Sequence, residues 1–138
     1  MTRLQSEQVL LHQSQQQAFD FLSDFENIGK LMPDQVEDFK TDGTTCSFNI
    51  KGMASLGLSY ASKSAPSEIV MAKNGKAPFD FNLICSILPT DSPDQSKLQL
   101  FLDADLNPFL KMMAEKPLTN FLNMLAQKYS AISSNGIG

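Results

Sequence analysis

The run Asp103-Ala104-Asp105-Leu106-Asn107-Pro108 turns an alternating strand into a long helix, and that junction restricts the chain to few architectures. Beyond Pro108, apolar side chains recur at Leu110, Met113, Ala114, Leu118, Phe121, Leu122, Leu125, Tyr129 and Ile132. Steps of three and four residues draw one stripe down a helix. At ~1.5 Å per residue, a helix over 108–132 is roughly 37 Å long. Almost everything before it reads as strands with one apolar face. A helix of that length laid across such a sheet encloses an apolar interior.

The strand reading rests on period-two alternation. Val9 and Leu11 alternate with Leu10 and His12 in a short first strand. Ser14 then has the position of a helix N-cap with Gln17 as its capping-box partner. Ala18, Phe19, Leu22 and Phe25 give that helix an apolar face, ending near 24–26. A second short turn runs from Asn27 through Ile28, Leu31 and Met32 until Pro33 stops it. Residues 36–41 precede the hairpin dipeptide Asp42-Gly43, and Cys46, Phe48 and Ile50 alternate after it. Leu56, Leu58 and Tyr60 form the next inward set, and Asn74-Gly75 closes a strand over 69–73. Phe79, Phe81, Leu83, Cys85 and Ile87 follow, then a loop over 89–94, then Leu98, Leu100, Leu102, Ala104 and Leu106. The pattern predicts an antiparallel sheet of about seven strands, buried on one face and wet on the other.

The 138 residues suffice for one domain, predicted over 5–132 with a flexible tail over 133–138. Apolar and charged contents of 42% and 19% are ordinary, and the net charge is −4 without a Lys or Arg cluster. An electrostatic footprint for nucleic acid or anionic lipid is therefore missing. No apolar run has signal-peptide or membrane-span length, so the expected location is cytoplasmic and no stable membrane insertion is expected. Cys46 and Cys85 lack CxxC spacing and read as buried free thiols.

The order of strand, two short helices, antiparallel strands and long C-terminal helix resembles the START-like helix-grip superfamily (SRPBCC), an α+β fold shared by the major birch pollen allergen and polyketide cyclases. The residues carrying the resemblance are Val9 and Leu11, Ala18-Phe19-Asp20-Phe21-Leu22-Ser23-Asp24, Leu31-Met32-Pro33, and the helix over 106–132. Its strength lies in element order over nearly the whole chain, since the short motifs are generic. The resemblance implies a sheet curled around the long helix, a cavity between them, and a first strand closing beside the last.

Little in the sequence carries chemistry. His12 is the only histidine, and strand parity places it outside, away from any enclosed substrate. It leaves too few soft ligands for a zinc site, and no cofactor or metal is expected. Asp103 and Asp105 share the wet face, with Asp105 placed to complement the helix dipole. No GxSxG, GxGxxG or Walker-type run occurs. Pro117 interrupts the long helix, so a kink or restart is expected there, serving either sheet curvature or a hinge that lifts 107–116.

The interior candidates are more suggestive. Met53, Met71, Met112, Met113 and Met124 join Phe48, Phe79, Phe81, Phe109 and Phe121 on elements able to line a cavity or simply to fill a core. The predicted cavity wall is Phe48, Ile50, Leu58, Tyr60, Phe81, Leu83, Met113, Phe121, Leu125 and Tyr129, around a pocket toward about 300 Å³. Tyr60 and Tyr129 are its best polar handles, each needing a partner that backbone, the other phenol, water or a ligand head group can supply. The first expectation is non-catalytic binding of a hydrophobic small molecule or lipid. The alternative is a co-chaperone-like interaction module with a filled core, favoured by Phe101 on the wet face. The third is a cyclase- or aromatase-like enzyme, which needs charged groups that the inward runs lack.

Overall fold

The computed structural model describes residues 1–134. Its elements, in chain order, are β1 (Thr2–Gln5), β2 (Val9–Leu11), α1 (Gln15–Leu22), α2 (Phe25–Gly29), β3 (Val36–Thr41), β4 (Thr45–Ile50), β5 (Ala54–Ser64), β6 (Glu68–Lys73), β7 (Phe81–Pro89), β8 (Ser96–Ala104) and α3 (Pro108–Ser133). The strands form one eight-stranded sheet in the order β1-β8-β7-β6-β5-β4-β3, with β2 paired to the other half of β8. All pairings are antiparallel. This is the α+β helix-grip architecture, with α3 laid over β8, β1 and β2.

The first strand is two strands. Thr2–Gln5 pairs with 101–104, and Val9–Leu11 pairs with 96–98. Thr2–Gln5 buries only Leu4, so it shows no alternation of apolar residues to betray it. The break between the two strands is held by Ser6. Its N–H donates to the Leu100 carbonyl at 2.9 Å, and its Oγ accepts from the Leu100 N–H at 2.9 Å.

Period-two burial holds best in the central strands. Phe81, Leu83, Cys85 and Ile87 of β7 are buried and stand opposite Ala104, Leu102, Leu100 and Leu98 of β8. Each large apolar side chain so enclosed contributes on the order of 1.5–3 kcal/mol. Gly57 on β5 is there for space, because a Cβ at that point would run into the Asn74 carbonyl oxygen. On the edge strand β3 the register shifts between Glu37 and Lys40, with Asp38 at φ 57. The bulge turns Phe39 toward Phe48, 6.3 Å away between ring centroids. A bulged edge is also a poor template for further strand pairing.

Helix ends follow their capping chemistry. Ser14 and Gln17 form the expected capping box. The second helix starts at Phe25 rather than Asn27, because Asp24 caps it by accepting from the Glu26 N–H at 2.9 Å. For α3 the cap is Asn107, whose side chain accepts from the Leu110 N–H at 2.8 Å, with Pro108 in the first turn. Asp105 remains exposed, and its N–H donates to the Asp80 carbonyl at 2.9 Å. The helix neither stops nor restarts at Pro117 and runs as one element to Ser133. Pro117 and Met113 are both exposed, so water can serve the carbonyl that proline leaves without a helical donor.

The buried stripe of α3 is Ala114, Leu118, Phe121, Leu122, Leu125, Ala126, Tyr129 and Ser133. Met113 was expected in that stripe and is 61% exposed. Ser133, expected as the start of the tail, is buried and accepts from the His12 N–H at 3.1 Å. The rest of the expected tail, 135–138, lies outside the described residues.

Candidate ligand cavity

Between sheet and α3 lies an apolar void of about 20 Å³. Its wall is built from every layer of the fold. Leu22 and Ile28 come from α1 and α2, Leu31 and Met32 from the turn that follows α2, and Phe48, Leu58, Met71, Leu83, Cys85, Leu98 and Leu100 from β4 to β8. Phe121 and Leu125 close it from α3. Local structure explains part of the convergence: strand alternation points the β residues inward, and Ile28 is on the buried side of α2.

Five of the expected wall residues line the void, namely Phe48, Leu58, Leu83, Phe121 and Leu125. Ile50 and Phe81 are buried elsewhere in the core. Met113 points to solvent because its helical position falls off the buried stripe toward Phe109. The residues missed are Leu22, Ile28, Leu31, Met32, Met71, Cys85, Leu98 and Leu100. Parity had already turned Cys85, Leu98 and Leu100 inward, but only the sheet's curvature brings β8 into the same wall as β4.

The two tyrosines are committed to structure. Tyr60 is half-buried beside the β5 register shift, and its hydroxyl donates to the Leu22 carbonyl at 2.7 Å. Its ring stacks on Phe25 at 4.2 Å between centroids, and Lys63 Nζ lies 4.2 Å from the ring centre. Tyr129 is fully buried and donates to Gln13 Oε1, while its ring stacks on Phe21 at 4.6 Å. Ser96 Oγ donates to the Gln13 carbonyl at 2.9 Å, which fixes that segment. Burial raises both phenol pKa values above their ordinary one. Neither hydroxyl is a free handle for a guest.

Cys46 and Cys85 are free, buried thiols. Burial pushes each up to about 12, with a Leu58 backbone hydrogen bond partly opposing the shift at Cys46. Neither is a nucleophile at neutral pH.

The void is far below the expected size of about 300 Å³. Large side chains fill the interior: Phe48 and Phe121 stack at 5.7 Å, and Met71 and Leu58 are fully buried beside them. A space of about 20 Å³ holds one water by volume, yet its wall offers no polar partners beyond a thiol.

Outside the interior, Asp103 is held by Arg3 through contacts of 2.7 and 2.9 Å. The guanidinium lowers the pKa of that carboxyl below its ordinary value. Arg3 also lies 4.9 Å over the Phe101 ring, so the aromatic residue on the wet face is partly covered from within the chain. His12 is exposed. Among the described residues no group of three His, Cys, Asp or Glu converges as a metal ion requires. No helix among them is long and apolar enough to cross a membrane.

No protein-family model matches the sequence, and no curated protein matches it. Solved structures do. A START superfamily protein from Mycobacterium smegmatis superposes with a TM-score of 0.75 at 18% identity, covering 98% of this chain and 99% of that one. The protein XoxI from Bacillus cereus gives 0.77 at 9% identity over 98% and 97%. A protein from Thermus thermophilus gives 0.77 at 10% identity over 99% and 100%. Identities this low speak to the fold alone. By element order, sheet topology and these superpositions, the chain has the START-like helix-grip fold.

Proposed function

We propose that the chain binds a hydrophobic small molecule or lipid between the sheet and α3. The observation carrying this reading is the character of the void's wall: it draws on sheet, short helices and α3 together and contains no charged side chain. Sites for small apolar ligands have walls of this kind. With both phenols already hydrogen-bonded, the interior suits a guest recognised by shape and apolar area. The same lack of charged groups counts against acid–base turnover of the cyclase kind.

At about 20 Å³ the space must widen before a guest fits. The first part of α3 can lift at little cost but supplies none of the void's wall, whose α3 residues are Phe121 and Leu125, so widening also has to move the part beyond Pro117 or the segment opposite. Before Pro117 the helix buries only Ala114, whereas the part after Pro117 carries Leu118, Phe121, Leu122, Leu125, Ala126 and Tyr129. Lifting 107–116 about Pro117 therefore exposes little apolar surface, while lifting the rest exposes most of the helix's share of the core.

The near-closed interior favours a second reading, an interaction module whose filled core serves only stability. Native mass spectrometry of protein purified from its own host separates the two. A co-purifying apolar species released on unfolding supports the binding reading; a bare chain mass that stays bare after incubation with host lipid extract supports the module.

A further inference from the structure

From Phe81 to Ile87 on β7, and from Ser96 to Ala104 on β8, inward residues are buried and the outward residues between them are exposed or half-buried. Strand register sorts the outward side chains into rows. In the row across β6, β7 and β8, Val70 stands opposite Ile84, and Ile84 opposite Phe101. On either side of that row, β7 presents Asn82, Ser86 and Leu88 and no charge. The charged outward residues of β1 and β5 to β8 lie around this centre: Glu68 at the start of β6, Lys97 near the start of β8, and Arg3 paired with Asp103. The face is thus neutral in a chain of net charge −4. An uncharged centre with an aromatic residue, inside a charged rim, is the composition of a protein interface.

We propose that this face packs on the same face of a second copy of the chain, the two sheets stacked across a twofold axis that runs along β7. Area fits. The strands β7 and β8 have nine residues each, and six strands lie side by side from β1 to β4 in the sheet order, which gives a face of roughly 800 Å². A stable dimer buries about 800 Å² per partner. Small residues, Ser62, Ala72 and Ser86, flank the apolar row, so a second sheet can approach it closely. The axis sets Ile84 against its own counterpart. It also sets Val70 of one copy against Phe101 of the other, because β6 and β8 flank β7 and the three residues share a row. Charge fits as well. With Arg3 and Asp103 paired inside the chain, Glu68 and Lys97 are the charges left over, and both are exposed. Within one chain they sit two strands apart, about 10 Å, too far for an ion pair. The axis carries Glu68 over the other copy's β8 in the row of Gln99, and Lys97 is two residues further along, about 7 Å. A lysine side chain spans that distance. Two such pairs form, one on each side of the axis. Stacked this way, the two copies leave α3 and the void untouched, whatever the void receives.

The test is sedimentation velocity of the full chain across the micromolar range, where the parent passes from monomer to dimer. Ile84→Lys sets two ammonium groups against each other on the axis and raises the dimer dissociation constant about a hundredfold. Glu68→Lys and Lys97→Glu each raise it about tenfold, because like charges then meet. An equimolar mixture of those two variants recovers the parent's constant, and so does the chain carrying both swaps, since every contact is again between opposite charges. Phe109→Ser, on the exposed start of α3, changes nothing. Thermal melts of the charge-swap variants, taken where the parent is monomeric, match the parent, as at ordinary surface positions. Monomer throughout the range overturns the proposal. So does a dimer that Ile84→Lys leaves intact, or one that Phe109→Ser dissociates, which moves the interface to α3. Where Ile84→Lys fails to fold, the charge swaps decide alone: weakened single variants with no recovery in their mixture overturn the packing along β7.

Discussion

Phe48 of β4 and Phe121 of α3 stack across the interior with ring centroids 5.7 Å apart, and both line the void. The pair couples β4, the neighbour of the edge strand β3, to the well-anchored part of the long helix. Both rings take up space at the void's wall.

Phe121→Ala should therefore cost about 3–5 kcal/mol in a urea titration, through lost transfer energy and the cavity left behind. The space vacated adjoins the void, so the variant should take up a hydrophobic fluorescent probe more readily than the parent. A loss below about 1 kcal/mol with unchanged probe binding would show that Phe121 is neither core nor wall.

Sequence pattern revealed most of this fold and less of its interior. Ser14 and Gln17 announced α1 because a capping box is local chemistry. Parity placed Cys46, Cys85 and His12 correctly for the same reason. Thr2–Gln5 escaped notice since a strand burying one leucine has no period to read. Met113 was misplaced because the helical stripe is wide, and the sequence does not say which flank the sheet covers. Tyr60 and Tyr129 are expected to need partners, with backbone, each other, water and a ligand head group all open; the partners found, the Leu22 carbonyl and Gln13, lie far along the chain and so are not legible in the sequence. Void size was least legible, because it is a small difference between large side-chain volumes and the space between two curved surfaces.

The thiols give a pH signature. Burial pushes Cys46 and Cys85 up to about 12, against about 8.5 in an unfolded chain. Below that lower value both states keep their thiol protons and the contribution to stability is complete. Above it the unfolded chain alone releases protons, so stability falls until the folded thiols also ionise. Urea midpoints should drop steadily through this alkaline window. Alkylation should be slow in the native protein and stoichiometric once it unfolds; fast native labelling contradicts the burial assigned to these residues.

Asp42 gives the acid counterpart. Hydrogen bonds from the Thr45 and Thr44 backbone hold its carboxyl down to about 2. Its contribution to the β3–β4 turn is present above the ordinary carboxylate pKa of about 3.9 and lost as pH falls toward the folded value. Asp42→Asn keeps the acceptor oxygen, so it should preserve the turn at neutral pH and flatten the acid limb of the melting temperature. An unchanged acid limb means that other carboxylates dominate there.

His12→Gln should leave stability within about 0.5 kcal/mol, as at an ordinary surface position. The backbone N–H of His12 makes the bond to Ser133, and glutamine supplies that donor equally. A larger loss in a denaturant titration, or a tenfold loss in any turnover the protein is found to have, contradicts the placement of the imidazole outside the interior.

Hydrogen exchange with and without a fatty-acid mixture tests the central claim most directly. If the space between sheet and α3 receives an apolar guest, binding is saturable in the micromolar range and slows exchange at the backbone amides around Met113 to Phe121, where the helix has to yield and then close. Unchanged exchange across those residues, with no saturable binding of any fatty acid or hydrophobic probe, contradicts the claim and leaves the filled-core interaction module in its place.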